Sequence, residues 1–460
     1  MLFIINNYLL YLKVTLCSIL YIFLLNSFIF SQKLNWKFSD YKTNIILYDY
    51  GQNWDKATLF SDIGPLFYGK NITINSLNIS NTYSFFFKNN NLGITNYFYF
   101  NNGGFFVYKL IRIGEKINLF RLNPKFKKQN NMPLNNGLDY GGFGYGNKWV
   151  SIKIARGNQN WGSGQNIELA LSEASKLYDF FEIKSDYGKV RVKYMHGFLE
   201  TTGDNINRYL VAKGIEWSNK KNIIIGFSET IIYSGYNRSL DIAYLNPLSF
   251  HLEVELNNRL NLFGDDHSNA VWQVHSDFFI FNKVRFSLNF LYDEFVLDPK
   301  VQTNKENGKA YSIRLSYSTP KIFNNYLNFY LQNIFVGTPT FRHGNGTNNF
   351  VQNNYPLGWE GGSDSQEISL GLNYFDKTTF IWQFNTGINW SGTENIQKRV
   401  FEPYLDYLKG TFPSGKIEEY VFLNSNLELL FKHNISIKCF TMVSSKNTNH
   451  VNVGLYLSII

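Results

Sequence analysis

The sequence predicts an all-β protein: a large antiparallel transmembrane β-barrel of about 16–20 strands, with 18 as the central value. Three observations predict it. Segments of about ten residues repeatedly alternate apolar and polar side chains. No stretch after residue 31 has the roughly 18 consecutive apolar residues of a spanning helix. The N-terminus reads as an export signal. In lipid only helices and closed barrels satisfy their backbone polar groups, so an exported membrane chain lacking such helices closes a barrel.

The export signal rests on residues 1–31. Lys13 is their one charged side chain, followed by the apolar run Val14 to Leu25, then Asn26-Ser27 and Ile29-Phe30-Ser31. Cleavage is expected after Ser31, leaving a mature barrel over residues 32–460, which is 460 − 31 = 429 residues. A retained anchor helix is the alternative. Cys17 lies inside the apolar run and makes a poor lipid-attachment site. That leaves Cys439 alone in the mature chain, so no intrachain disulfide forms there.

The strands follow from alternation. Val284, Phe286, Leu288, Phe290 and Tyr292 alternate with Arg285, Ser287 and Asn289. Tyr311, Ile313, Leu315 and Tyr317 alternate with Ser312, Arg314 and Ser316. Ile368 to Tyr374 and Phe380 to Trp390 read as two strands joined near Asp376-Lys377, and Val451 to Ile459 as a closing strand. Phe250, Leu252, Val254 and Leu256 read as one face of a further strand, with Glu253 and Glu255 on the other. Residues 124–147, 300–309 and 338–366 read as longer loops. Leu169, Ala170 and Ala174 sit at helical spacing, which allows a short helix over 167–177 inside or beneath the barrel. At roughly 22–26 residues per strand with its turn, 429 residues give the strand number above.

Composition bounds the partners. Aromatic content is 18%, as interfacial girdles require, although a chain-wide bias towards Asn, Lys, Ile, Phe and Tyr contributes to it. The net charge of +9 favours anionic partners: nucleic acid, lipid phosphates or acidic glycans. The lysines are dispersed, no nucleic-acid motif accompanies them, and export removes nucleic acid from reach. The seven histidines are scattered without metal-ligand spacing, so neither metal nor cofactor is expected.

Three ordered segments stand out. The first is Arg156-Gly-Asn-Gln-Asn-Trp161-Gly-Ser-Gly164, continuing to Leu169-Ala-Leu-Ser172. The second is Tyr244-Leu-Asn-Pro-Leu-Ser-Phe250, followed by Glu253 and Glu255. The third is Asn269-Ala-Val-Trp272, leading to Tyr292-Asp-Glu-Phe-Val-Leu-Asp298. Together they cover roughly residues 140–300, and in this order they resemble the Wzi family of capsule assembly proteins. The family's N-terminal periplasmic helices have no counterpart in residues 32–120, which look strand-like and irregular. The resemblance implies a monomeric outer-membrane barrel, in contact with membrane lipid, that binds capsular or other surface polysaccharide and helps its attachment or assembly without catalysis.

The residues themselves leave alternatives open. Glycines beside Trp161 permit positive φ and close backbone approach. Trp161 then stacks on a sugar ring, with Arg156, Gln159 and Asn160 bonding hydroxyls or carboxylates, or it is a girdle residue at a tight turn. Glu253 and Glu255, on one strand face, lie about 6.5–7 Å apart. That suits a polar network in the lumen with Arg208, Arg238 and Arg259, or the paired carboxylates of a glycosidase. A porin-like channel favouring anions and an outer-membrane hydrolase are the competing functions.

Overall fold

The computed structural model describes residues 79–88, 91–100, 103–112, 140–147, 150–172, 174–219, 222–256, 268–280, 283–293, 305–319, 326–375, 380–404, 410–431, 435–445 and 450–459. The first strands are β1 (Ile79–Lys88), β2 (Asn91–Phe100), β3 (Gly103–Arg112), β4 (Tyr140–Asn147), β5 (Val150–Gly157) and β6 (Tyr178–Asp186). Next come β7 (Val190–Thr201), β8 (Ile206–Ser218), β9 (Ile223–Tyr236), β10 (Ser268–Ile280), β11 (Val284–Tyr292), β12 (Lys309–Ser318) and β13 (Tyr326–Val336). The last are β16 (Ser365–Phe375), β17 (Phe380–Ser391), β18 (Glu418–Phe431), β19 (Ile435–Ser444) and β20 (His450–Ile459). These form one 18-stranded sheet in which each strand pairs antiparallel with its neighbour in sequence. The short β14 (Val351–Gln352) and β15 (Tyr355–Pro356) form a separate hairpin within the β13–β16 connection.

The alternation read from the sequence sorts side chains by face. In β12, Ala310, Ser312, Arg314, Ser316 and Ser318 are buried, while Leu315 and Tyr317 are exposed. Arg314 donates to the carbonyl of Gln165, which belongs to the β5–β6 connection. Gln352, in the β13–β16 connection, donates to the carbonyl of Leu199 in β7. The sheet therefore wraps as a barrel around its own connections. On β12 apolar side chains point outward, as lipid requires, and polar ones point in.

The longest connections gather at one end, which also carries the short 202–205 turn. Residues 158–177, 237–267, 293–308, 337–364 and 392–417 join strands at one end, and 187–189, 219–222, 281–283, 319–325 and 376–379 at the other. No described helix is long and apolar enough to cross a membrane.

Several local expectations are corrected. Residues 250–256 are not a strand: His251–Leu256 is a short helix, α1. Six residues without a neighbouring strand have no ladder to join, so the backbone satisfies itself locally, with the amide of Val254 donating to the carbonyl of Phe250. Residues 140–147 form β4 rather than loop, and 167–177 form no helix. That segment does lie inside the barrel, as expected, but as an extended hairpin. The Asp376-Lys377 turn lies outside the described residues.

Candidate functional site

The β5–β6 connection turns inward immediately after β5. Trp161 and Leu171 form an isolated antiparallel bridge, with the Trp161 amide donating to the Leu171 carbonyl at 3.1 Å. The barrel wall then replaces the strands this hairpin lacks. Gln273 in β10 donates to the Trp161 carbonyl (3.1 Å) and accepts from the Ala170 amide (3.3 Å). Asn289 in β11 accepts from the Ser163 amide (2.8 Å) and donates to the Ser163 carbonyl (2.7 Å). Ser312 in β12 donates to the Ile167 carbonyl at 2.6 Å. Side-chain amides thus act as strand edges, which removes the penalty for burying unpaired backbone. Gly162 adopts φ +130°, and a Cβ there would meet both the Asn289 and the Gln273 amides.

A second connection, 337–364, packs on the first. The amide and hydroxyl of Ser172 donate to the carbonyls of Leu357 (2.9 Å) and Gly358 (2.6 Å). A side chain at Gly358 would collide with the Leu169 carbonyl, so glycine is required for this contact. Arg208 in β8 anchors the segment. It is fully buried, pairs with Glu200 at 2.7 Å, and donates to the carbonyls of Thr347, Asn349 and Val351. Arg342 ties this connection to the next one, donating to the Glu394 carboxylate at 2.7 Å and to the carbonyls of Glu394 and Glu402. Asp364 accepts from Thr338, from the Glu394 amide and from the Ser414 amide. Three connections from the long-loop end are thus cross-linked into a plug.

One part of the plug is exposed. Asn353 and Asn354, at φ +48° and +65°, make the two-residue turn of the β14–β15 hairpin, as such turns require. Both are exposed, and Tyr355 follows them at 37% exposure. The Lys176 ammonium sits 3.9 Å from the centre of the Tyr355 ring. Partial burial lowers the Lys176 pKa from its ordinary value.

The architecture is similar to that of a solved Escherichia coli structure, Wzi. That protein is described as an outer-membrane protein involved in group 1 capsule assembly and as a carbohydrate-binding β-barrel. The TM-score is 0.53 at 13% identity, over 80% of this chain and 78% of that one. The fold is that of an outer-membrane β-barrel. Two Pseudomonas aeruginosa proteins also align, at lower scores. OpdQ has a TM-score of 0.41 and 9% identity, covering 80% of this chain and 88% of its own. OccK10 has 0.42 and 9%, covering 84% and 98%. No family model and no curated protein sequence matches the chain.

Within this outer-membrane fold the expected site residues separate. Trp161 is fully buried, with the Lys193 ammonium 4.9 Å from its ring centre, so it offers no face for stacking on a polymer. Gln159 is also buried and accepts from Lys193. Arg156 points the other way, out of the barrel at the end of β5, and pairs with the exposed Asp179 at 2.6 Å. Asn160 is half-buried between them in sequence. The expected sugar-binding quartet is therefore divided between plug and outer rim.

The expected lumen network is divided too. Arg208 is a lumen anchor, but its acid is Glu200. Arg238 is buried outside β9, paired with Asp241 at 2.9 Å. Glu253 is exposed on α1, where residues two apart point to different sides, so the paired-carboxylate geometry is lost. The Glu255 side chain and Arg259 lie outside the described residues. The lumen charges that do meet include Glu182 with Lys153 (3.2 Å), Lys184 (3.4 Å) and Lys193 (3.4 Å), and Asp277 with Arg285. The inward parity of Arg285 on β11 was legible from alternation, but its partner Asp277 was not. The Asn-Asn-Tyr-Pro turn signal at 353–356 was the available clue to the exposed hairpin.

Proposed function

We propose that this protein is a non-catalytic outer-membrane barrel whose plugged mouth faces away from the cell and binds surface polysaccharide. Capsular polymer is the preferred ligand, held or assembled at that mouth. The observation that carries this reading is the exposed Asn353-Asn354-Tyr355 turn beside Lys176, raised on a mouth that the chain's own connections fill. Tyrosine offers a flat apolar face to a sugar ring, and amides and an ammonium serve hydroxyls and carboxylates. The net positive charge of +9 favours an acidic polymer. In this reading Arg156 and Asn160 add peripheral contacts, and Gln159 and Trp161 support the surface from below. The orientation follows the rule that barrels carry long loops outside the cell and short turns in the periplasm. The fold likeness to a carbohydrate-binding barrel adds support.

The test uses the purified, folded protein in detergent and the cell's own surface polysaccharide. Binding is expected, with severalfold weakening in the Tyr355→Ala/Lys176→Ala variant. No affinity in the parent protein removes the reading, and unchanged affinity in the variant moves the contact elsewhere. Planar bilayers separate the channel alternative, since a filled barrel gives no steady conductance. N-terminal sequencing of the exported protein checks the signal peptide, with Gln32 expected as the first residue.

A further inference from the structure

The described part of the β9–β10 connection, residues 237–256, does not join the plug. It leaves the long-loop end and folds back down the outside of the barrel. Side chains of β7–β10 that bond the plug, such as Arg208, Ser234 and Gln273, point inward. Alternation sends their neighbours Tyr209, Tyr233 and Trp272 outward. Residues 237–256 cover those outward groups.

The covering is a close fit. Tyr209, Tyr233 and Tyr244 stack with ring centres 4.9 Å apart, and His251 continues the column at 6.1 Å. The Tyr194 hydroxyl donates to the Tyr244 carbonyl at 2.9 Å, and the Asp241 amide donates to the Tyr233 hydroxyl at 3.1 Å. Lys213 and Glu229, directly opposite on β8 and β9, form a buried ion pair at 2.9 Å. The segment completes that pair: Lys213 donates to the Ser249 carbonyl, and Glu229 accepts from the His251 amide (3.0 Å) and from the Trp272 indole (2.8 Å).

The position of this pair fixes the depth of the segment. Lys213 lies seven residues from Ile206 and five from Ser218 along β8. At about 3.3 Å per residue and about 40° of tilt, that is roughly 18 Å below one end and ~13 Å above the other. The apolar band of such barrels is about 25 Å tall, so Ser249 and His251 sit near its middle.

The outer surface of the segment matches that depth. Leu240, Ile242, Leu245, Leu248, Phe250 and Leu252 are exposed, Leu248 at 81%. They continue the exposed apolar surface of the bare wall beside them, Ile215, Trp217, Ile225 and Val274. Glu253, the exposed acid of the segment, makes a polar interaction of its own. We propose that residues 240–252 are not an aqueous loop but a membrane-embedded flap. Their apolar side chains contact lipid acyl chains, and they seal the Lys213–Glu229 pair and the aromatic column from lipid.

The test places a nitroxide on the full chain in phospholipid bilayers, with both native cysteines removed (Cys17→Ser, Cys439→Ser). Leu248→Cys is compared with Ile225→Cys on the bare wall and Asn205→Cys in an exposed turn. Oxygen and a water-soluble nickel chelate compete for the label. The Leu248 label is expected to follow Ile225, with oxygen accessibility severalfold above that of the chelate, and the Asn205 label to show the reverse. A Leu248 label that behaves like Asn205 overturns the proposal. Shielding from both reagents also overturns it and assigns the face to a second copy of the chain. An Ile225 label in water instead refutes the membrane position of the barrel itself. Should the cysteine variants not fold, Leu248→Trp is read against bromine placed deep in the acyl chains as the difference from the parent protein, whose nine tryptophans include Trp217 on the bare wall. Strong quenching of the added emission supports the flap, and added emission that bromine does not quench overturns it.

Discussion

The plug hairpin 158–177 and the outer segment 237–256 return to the same strand, β10, from opposite sides. Gln273 faces the lumen and bonds the backbone of Trp161, while the adjacent Trp272 faces outward and bonds Glu229 beneath the outer segment. The two segments solve one problem with opposite polarity. The hairpin is buried over 161–164 and 167–172, so its backbone there must find partners, and wall amides supply them. The outer segment is enclosed on one side only. It turns Asp241, Tyr244, Ser249 and His251 to the wall and leaves leucine, isoleucine and phenylalanine outside, together with Asn246 and Glu253. The lesson is that connection length and composition do not settle where a barrel loop goes. The medium beyond it does, because an apolar surface that would be costly in water costs nothing in lipid.

The comparison can be broken most forcefully at its charges. Arg208→Met removes the cation that holds three plug carbonyls and strands Glu200. It is expected to cost about 3–5 kcal/mol, read as a lower denaturant midpoint by heat-modifiable gel mobility, with new protease cleavage in 337–364. On the outer wall, Glu229→Leu alone strands Lys213 and costs about 3 kcal/mol, whereas Lys213→Met with Glu229→Leu is near neutral or stabilising. Equal losses in the single and double variants mean that the pair is wet and uncovered. Gln273→Leu leaves the Trp161 carbonyl and Ala170 amide unpaired and is expected to cost about 1–3 kcal/mol. No change in midpoint there means that the hairpin does not rest on β10. The smallest effect belongs to the outer surface: Leu248→Ser in detergent removes a side chain that leaves water for acyl chains and costs about 1 kcal/mol, whereas no change means that Leu248 stays in water.

Strand pattern was legible where apolar and polar residues alternate strictly along a whole strand. Ile368–Tyr374 and Phe380–Trp390 lie in β16 and β17 with the faces their alternation demands. The same rule failed at Phe250–Leu256. Alternation there marks a surface shared between wall and lipid, and a six-residue helix also presents such a surface. Glycine density misled at 140–147, because small residues in β4 let strands approach as readily as they make loops. Gly142, for example, has Ala155 directly against it. Trp161 was misread for a related reason. A tryptophan among glycines marks a close approach, and sequence does not tell whether the approaching group is a sugar or the protein's own Lys193.

Local pattern determined the fold class by itself, though not the place of every strand. Side-chain period, the absence of a spanning helix and the number of residues together require a large antiparallel barrel near 18 strands, because lipid leaves the backbone no other solution. Only the tertiary structure decided that one connection fills the lumen, that another lies along the outer wall, and which acid meets which base. Those choices depend on contacts between residues as far apart as Arg208 and Thr347, and no local period encodes them.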